Sequence, residues 1–169
     1  MEAKLAPKMP QWMVDHANKY LSSGGAEGHI YKIKPPNYGD LEVPSLLLTT
    51  TGRKSGERFI FPLFYGDTGN GYFVIASKGG APKHPSWYLN ILANPDVEVQ
   101  VGTAKMKARA RTATGEERAR LWKKSLERSG FLRKAEIDYA GNGRPALRWD
   151  VNPALIGVAL AETAETPPA

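Results

Sequence analysis

A chain of 169 residues with 41% hydrophobic and 24% charged side chains has the composition of one globular domain. It has no cysteine, which excludes disulfides, thiolate metal sites and a cysteine nucleophile. No run of about 18 apolar residues is present to span a membrane, and the N-terminal segment lacks the apolar stretch of a secretory signal, so a cytoplasmic location is expected. The 23 Lys and Arg outnumber 17 Asp and Glu for a net charge of +6, and residues 101–135 concentrate the excess, with eleven basic residues against three Glu. Such a segment can attract nucleic acid, anionic lipid or an acidic small molecule, and a solvated surface is the plain alternative.

Residues 10–22 read as an amphipathic helix, with Pro10 in the first turn and Met13, Ala17, Tyr20 and Leu21 at helical spacing. Trp12, Met13 and Tyr20 are expected to pack on the rest of the domain; the other reading of this helix is peripheral contact with a membrane. Glycines and prolines make residues 23–42 a long connection. Three strands then follow on short turns: Val43 to Thr51, Arg58 to Tyr65 and Tyr72 to Ser77, an antiparallel meander. The continuous apolar runs Leu46-Leu47-Leu48 and Phe73-Val74-Ile75-Ala76 imply strands covered on both faces, as in a small barrel.

Lys78 to Pro85 is a loop, and Ser86 to Ala93 a short helix stopped by Asn94-Pro95. Asp96 to Val101 and Lys105 to Ala113 alternate and form a hairpin through Gly102-Thr103, with Lys105, Lys107, Arg109 and Arg111 on its exposed face. Thr114 and Glu117 have the spacing of a capping box for a helix running to about Arg128, with Leu121, Trp122 and Leu126 inward. Pro145 to Val151 is read as a last strand. One domain is expected over residues 1–160, its first 40 residues forming the helix and connection, with 161–169 as a disordered polar tail.

The common catalytic signatures are absent. Gly52-Arg53-Lys54-Ser55-Gly56 has its serine one place late for GxSxG, and no P-loop occurs. His16, His29 and His84 have no ligand spacing, so no metal is expected. Two segments carry more than structure demands. In Thr49-Thr50-Thr51-Gly52-Arg53-Lys54-Ser55-Gly56, hydroxyls, two cations and loop N–H groups can together hold an anion, although an ordinary basic turn remains open. In Ala76-Ser77-Lys78-Gly79-Gly80, small residues leave a buried strand for a loop that can lie close to a planar ligand. A helix N-terminus follows, with Trp87-Tyr88 available as a wall.

TTTGRKSG, then Pro62-Leu63-Phe64-Tyr65, then ASKGG and HPSWYLNILANPDVEVQVG, together resemble the deazaflavin (coenzyme F420)-dependent nitroreductase and F420H2-dependent quinone reductase family, over about residues 40–125. The resemblance implies an α+β, mainly antiparallel split β-barrel of the FMN-binding type with flanking helices. It implies hydride transfer from reduced coenzyme F420 to a quinone, enone or nitro compound. By the same resemblance Arg53 and Lys54 hold the cofactor's phosphate or oligoglutamate tail, and Ser55 adds a hydrogen bond. Pro62 and Leu63 meet the ring, Ala76, Ser77, Lys78 and Gly79 run along its edge, and Trp87, Tyr88 and Asn90 close the site. Ser77 is the candidate for polarising the acceptor or passing a proton, with solvent as the rival; Tyr139 is the candidate in the acceptor pocket.

The sequence departs from the family in two places. Relatives carry an arginine three places before the proline of the PLxY strand, where this chain has Phe59 and places the arginine at 58, on the opposite face unless a bulge intervenes. Relatives end in paired tyrosines, of which only Tyr139 remains. A non-catalytic F420 carrier and an FMN-binding oxidoreductase are the alternatives. Nucleic-acid binding is not expected, because the basic segment lacks interleaved aromatics. A small-molecule acceptor and a homodimer are the expected partners.

Overall fold

The computed structural model describes residues 2–33, 41–67, 71–76, 84–128 and 158–163. In chain order the elements are β1 (Lys4–Leu5), α1 (Gln11–Ser22), β2 (Ile30–Ile33), β3 (Leu41–Thr51), β4 (Arg58–Asp67), β5 (Tyr72–Val74), α2 (Ser86–Ala93), β6 (Asp96–Val101), β7 (Ala104–Arg111), α3 (Gly115–Arg128) and β8 (Val158–Thr163). Antiparallel pairing runs β3–β4–β5–β8–β7–β6, and β6 pairs back onto β3. β2 extends the first half of β3, and β1 lies parallel to the start of β4. This is the α+β split barrel that the resemblance implies. No helix among the described residues is long and apolar enough to cross a membrane.

Strand alternation sorts β3 and β4 onto two faces. Leu46, Leu48 and Phe61 join Val74, Val97, Val99, Ala108 and Ala110 in the inner cluster, which α2 covers with Trp87, Tyr88 and Ile91. Leu47 and Ile60 face outward and receive Ala17 and Tyr20 of α1. Both faces of the central strands are therefore buried, which is why their sequence is continuously apolar. Where β4 meets β5, Gly66 lies opposite Phe73, and a Cβ on Gly66 would fall 2.2 Å from that ring.

α1 begins after Pro10, which stands just outside the helix and not in its first turn. It ends in a Schellman motif: Gly24 N–H donates to Leu21 O and Gly25 N–H to Tyr20 O, with Gly24 at φ 63°. The Tyr20 hydroxyl accepts Gly102 N–H at 2.6 Å and shares its hydrogen between Ser45 O and Gln100 O. One buried tyrosine thus ties the helix to β3 and to the β6–β7 turn. Burial raises its pKa.

The structure corrects several expectations. Leu21 is exposed, and His16 takes the buried place beside Ala17 and Tyr20, satisfied by Gly28 O and Ser45 Oγ. Trp12 does pack on the barrel, tilted against Tyr31 and stacked on Phe64, but remains 45% exposed at its rim. The connection after α1 contains β2, whose four residues are too short to show a period. Glu117 does not act simply as a capping-box partner: both its carboxylate oxygens accept from Arg111, which holds its pKa down. β8 takes in residues 161–163, read above as tail, because β5 and β7 both need a partner strand there. The expected strand at Pro145 to Val151 lies outside the described residues.

Candidate functional site

Thr51-Gly52-Arg53-Lys54-Ser55-Gly56 links β3 to β4 as a tight turn. Gly52 N–H donates to Glu57 O, and Gly56 N–H to Gly52 O, with Gly56 at φ 73°. A Cβ on Gly52 would fall 2.8 Å from the Phe59 ring, so the turn packs directly on β4. Arg53, Lys54 and Ser55 are exposed at its tip. The Ser55 hydroxyl accepts Glu57 N–H, so it shapes the turn from within.

The turn is fixed to α2 through one side chain. Asn90 is buried, and its Oδ1 accepts from Arg53 Nη1 at 2.9 Å and from Arg53 N–H at 3.3 Å. Its Nδ2 donates to Thr50 Oγ1 at 3.1 Å. The threonine run therefore has a use that the turn alone does not require: Thr50, buried on the inner face, orients the amide that orients the guanidinium. Because Asn90 is neutral, Arg53 is held without losing its charge.

The other expected residues separate into four groups. Trp87 and Tyr88 are core residues that seat α2, with Tyr88 Oη 2.8 Å from Thr112 Oγ1. Leu63 packs against the inner cluster, while alternation turns Pro62 to the other face, so the two do not present side chains to one surface. Ala76 is fully buried. Ser77, Lys78, Gly79 and Tyr139 lie outside the described residues, as does the altered segment after Phe131.

The β3–β4 register runs without a break from Ser45↔Phe64 to Thr51↔Arg58. No bulge rescues Arg58. Phe59 packs toward the inner cluster, and Arg58 Nη2 reaches Glu98 Oε2 at 2.7 Å on the outer face.

Two features escaped the sequence. Trp12, Tyr31 and Phe64 form a contiguous aromatic patch, with ring centroids 5.4 to 6.4 Å apart and Phe64 37% exposed. Phe64 shares the outer face with Pro62 by alternation. Only the fold brings residues from α1, β2 and β4 together; the aromatic at position 64 within an inward-outward strand was the available signal. His84 Nδ1, just before α2, is buried and has no hydrogen-bond partner among the described residues; its ring lies 5.0 Å from that of Tyr88.

The split barrel thus carries a rigid cationic turn at one end of the β3–β4 hairpin and an exposed aromatic patch at the other. Comparison with known proteins places this arrangement in a family. The family model described as F420H(2)-dependent quinone reductase matches residues 12–131. The putative F420H(2)-dependent quinone reductase Rv3178 of Mycobacterium tuberculosis is 42% identical over 85 residues, covering 50% of this chain and 71% of the relative. The F420H(2)-dependent quinone reductase Rv1261c of the same species is 38% identical over 109 residues, covering 63% and 68%. Among solved structures, an F420-H2 dependent reductase (FDR-A) superposes with TM-score 0.53 at 40% identity, covering 68% of this chain and 90% of that one. A chain described as a domain-swapped dimer superposes with TM-score 0.51 at 37% identity, covering 75% and 87%. The chain belongs to the F420H(2)-dependent quinone reductase family. It is an oxidoreductase that uses reduced coenzyme F420 against a quinone-type acceptor.

The residues fit such a cofactor. Its phosphate and carboxylates are anions, and the turn offers two exposed cations on a backbone locked by Gly52, Gly56 and Asn90. The buried Nδ1 of His84, without a hydrogen-bond partner among the described residues, is a further polar group for a ligand entering beside α2.

Proposed function

We propose that Arg53 and Lys54 hold the phosphate of coenzyme F420, that Asn90 keeps Arg53 in position for it, and that the acceptor docks on the aromatic face of Trp12, Tyr31 and Phe64. The observation that carries the reading is the Thr50–Asn90–Arg53 chain of hydrogen bonds, a buried polar arrangement whose effect is to present a guanidinium at an exposed turn. When bound, the reduced cofactor supplies the hydride. The chain's own part is positional. Arg53 and Lys54 neutralise the phosphate, Leu63 and Ala76 supply a rigid inner wall beneath β4 and β5, and Pro62 and Phe64 offer an outer surface suited to flat rings. Trp12, Tyr31 and Phe64 exclude water from one side of a planar quinone and bind it by stacking. Ser77 and Tyr139 are proposed to meet the acceptor, Ser77 polarising it or passing a proton that solvent otherwise supplies. Family membership favours this reading over a carrier or an FMN enzyme.

The same aromatic face, with Trp12 45% and Phe64 37% exposed, supports peripheral contact with a membrane that holds lipid quinones. A homodimer is the assembly proposed, on the strength of the domain-swapped relative. One domain, located in the cytoplasm or at its membrane surface, is proposed with it.

The test is anaerobic oxidation of reduced F420 by menadione, compared with a nitroimidazole and a cyclic enone. Wild-type turnover with menadione supports the reading. Trp12→Ala and Phe64→Ala are expected to raise KM for the quinone more than they lower kcat. Absence of turnover in the presence of saturating cofactor binding would leave the carrier reading in its place.

A further inference from the structure

The threonines that lead into the basic turn do not serve one face. Thr50 turns inward to Asn90, whereas alternation turns Thr49 outward with Leu47. The Thr49 hydroxyl has no hydrogen-bond partner among the described residues. Register fixes Thr49 in a row of outward residues, with Lys107 on β7, Glu98 on β6 and Ile60 on β4. Lys105, Gln100 and Leu47 form a second row beside it. Leu21 at the end of α1 and Ala3 beside β1 wall this surface, and the space between is a groove of about 460 Å³. That is the size of a small-molecule site. It lies on the α1 side of the sheet, across the strands from α2, Asn90 and the inner cluster.

The groove changes chemistry from one side to the other. Leu47, Ile60, Ala3 and the exposed Leu21 make its β4 side apolar, and Lys105 and Lys107 make its β7 side cationic. Glu98 stands between, but Arg58 Nη2 at 2.7 Å compensates it, so the two lysines are left in surplus. Strands spaced ~4.8 Å apart put Lys107 about 14 Å from Ile60, which limits an extended occupant to roughly ten carbons. We infer that the groove binds a single-chain anionic amphiphile, a medium-chain carboxylate. Its head meets Lys105, Lys107 and the Thr49 hydroxyl, and its chain lies over Leu47 and Ile60 beneath Leu21. Burial of the chain supplies the affinity and the lysines set its direction. A polar polyanion lacks the hydrocarbon that this site requires.

The test is calorimetric titration of the purified protein with decanoate below its micelle concentration, with decanol and glutarate in parallel. Wild type is expected to bind decanoate saturably, decanol at least about tenfold more weakly, and glutarate not at all. Leu21→Glu puts a carboxylate on an exposed wall and is expected to weaken decanoate by at least about tenfold with the urea midpoint retained. Lys105→Gln together with Lys107→Gln is expected to lower decanoate to the level of decanol. Phe64→Ala, on the aromatic patch, is expected to leave decanoate affinity within about twofold, as is saturation with coenzyme F420. Four results would each overturn the inference and leave the proposed cofactor site standing. They are no saturable binding of decanoate, equal binding of glutarate, displacement of decanoate by coenzyme F420, and an affinity that Phe64→Ala lowers while Leu21→Glu does not.

Discussion

Gly25 lies against Gly102 so closely that a Cβ on Gly25 would fall 1.7 Å from the Gly102 carbonyl oxygen. The contact joins the residue that closes the α1 cap to the β6–β7 turn, and Gly25 has φ 92° as well. Gly25→Ala is therefore expected to destabilise the protein by about 3 kcal/mol or more, because backbone and not a flexible side chain must give way. Gly24→Ala is the comparison: it has the same handed backbone, with φ 63°, but open space around it. It is expected to cost only about 1 kcal/mol. Urea denaturation of the two variants checks the contrast.

The tyrosine in the same corner gives a second test. Tyr20→Phe removes the acceptor of Gly102 N–H and the donor to Ser45 O or Gln100 O, all in a fully buried place. The expected cost is about 1–3 kcal/mol, from desolvated backbone groups left unpaired and not from lost area. Stability should fall with the spectroscopic signature of the barrel retained at low denaturant.

His16 sets a pH dependence. Burial is the main cause that lowers its pKa below 6.5, against an opposing hydrogen bond to Gly28 O. The unfolded chain therefore takes up the proton at a higher pH than the folded one. The histidine's contribution to stability is full above its unfolded pKa and is lost as pH falls below about 6.5 toward the folded value. The urea midpoint of wild type is expected to drop between about pH 7 and about pH 5, with part of that drop missing in His16→Gln. An identical pH profile in the two proteins would contradict the assignment.

Asn90 links stability to binding. Asn90→Ala leaves Thr50 Oγ1 and Arg53 without the amide between them, so a loss of about 1–2 kcal/mol in stability and roughly tenfold in F420 affinity is expected. Asn90→Asp keeps an acceptor for Arg53 but turns the tie into an ion pair. It is expected to hold the turn in place and still weaken cofactor binding, because the guanidinium's charge is then compensated. Calorimetry and cofactor fluorescence on the same two variants separate geometry from charge.

Much of the barrel could be read from local pattern. β3, β4, β6 and β7 alternate or run apolar over many residues, and α2 is bracketed by Pro85 and Asn94-Pro95, so periodicity and stop signals agree. β2 and β8 were not legible, because a short strand of mixed residues exists only through the neighbour it pairs with. In the site, the cations at 53 and 54 were visible as charges that a turn does not require. The pairing of Arg58 with Glu98 and the use of Thr50 were not, since each partner lies some 40 residues away and meets the other only across the sheet or helix. Trp87 and Tyr88 are legible in the sequence as aromatics beside a site motif, but their packing under α2 depends on strands far away in the chain.

The most direct measurement is a parallel titration of the purified protein with oxidised coenzyme F420 and with FMN, repeated on the Arg53→Glu, Lys54→Glu double variant. The account predicts saturable F420 binding by wild type, weak FMN binding, and F420 binding weakened by at least about 30-fold in a variant that remains folded. FMN binding tighter than F420, or F420 affinity unchanged by reversing both charges, would contradict it.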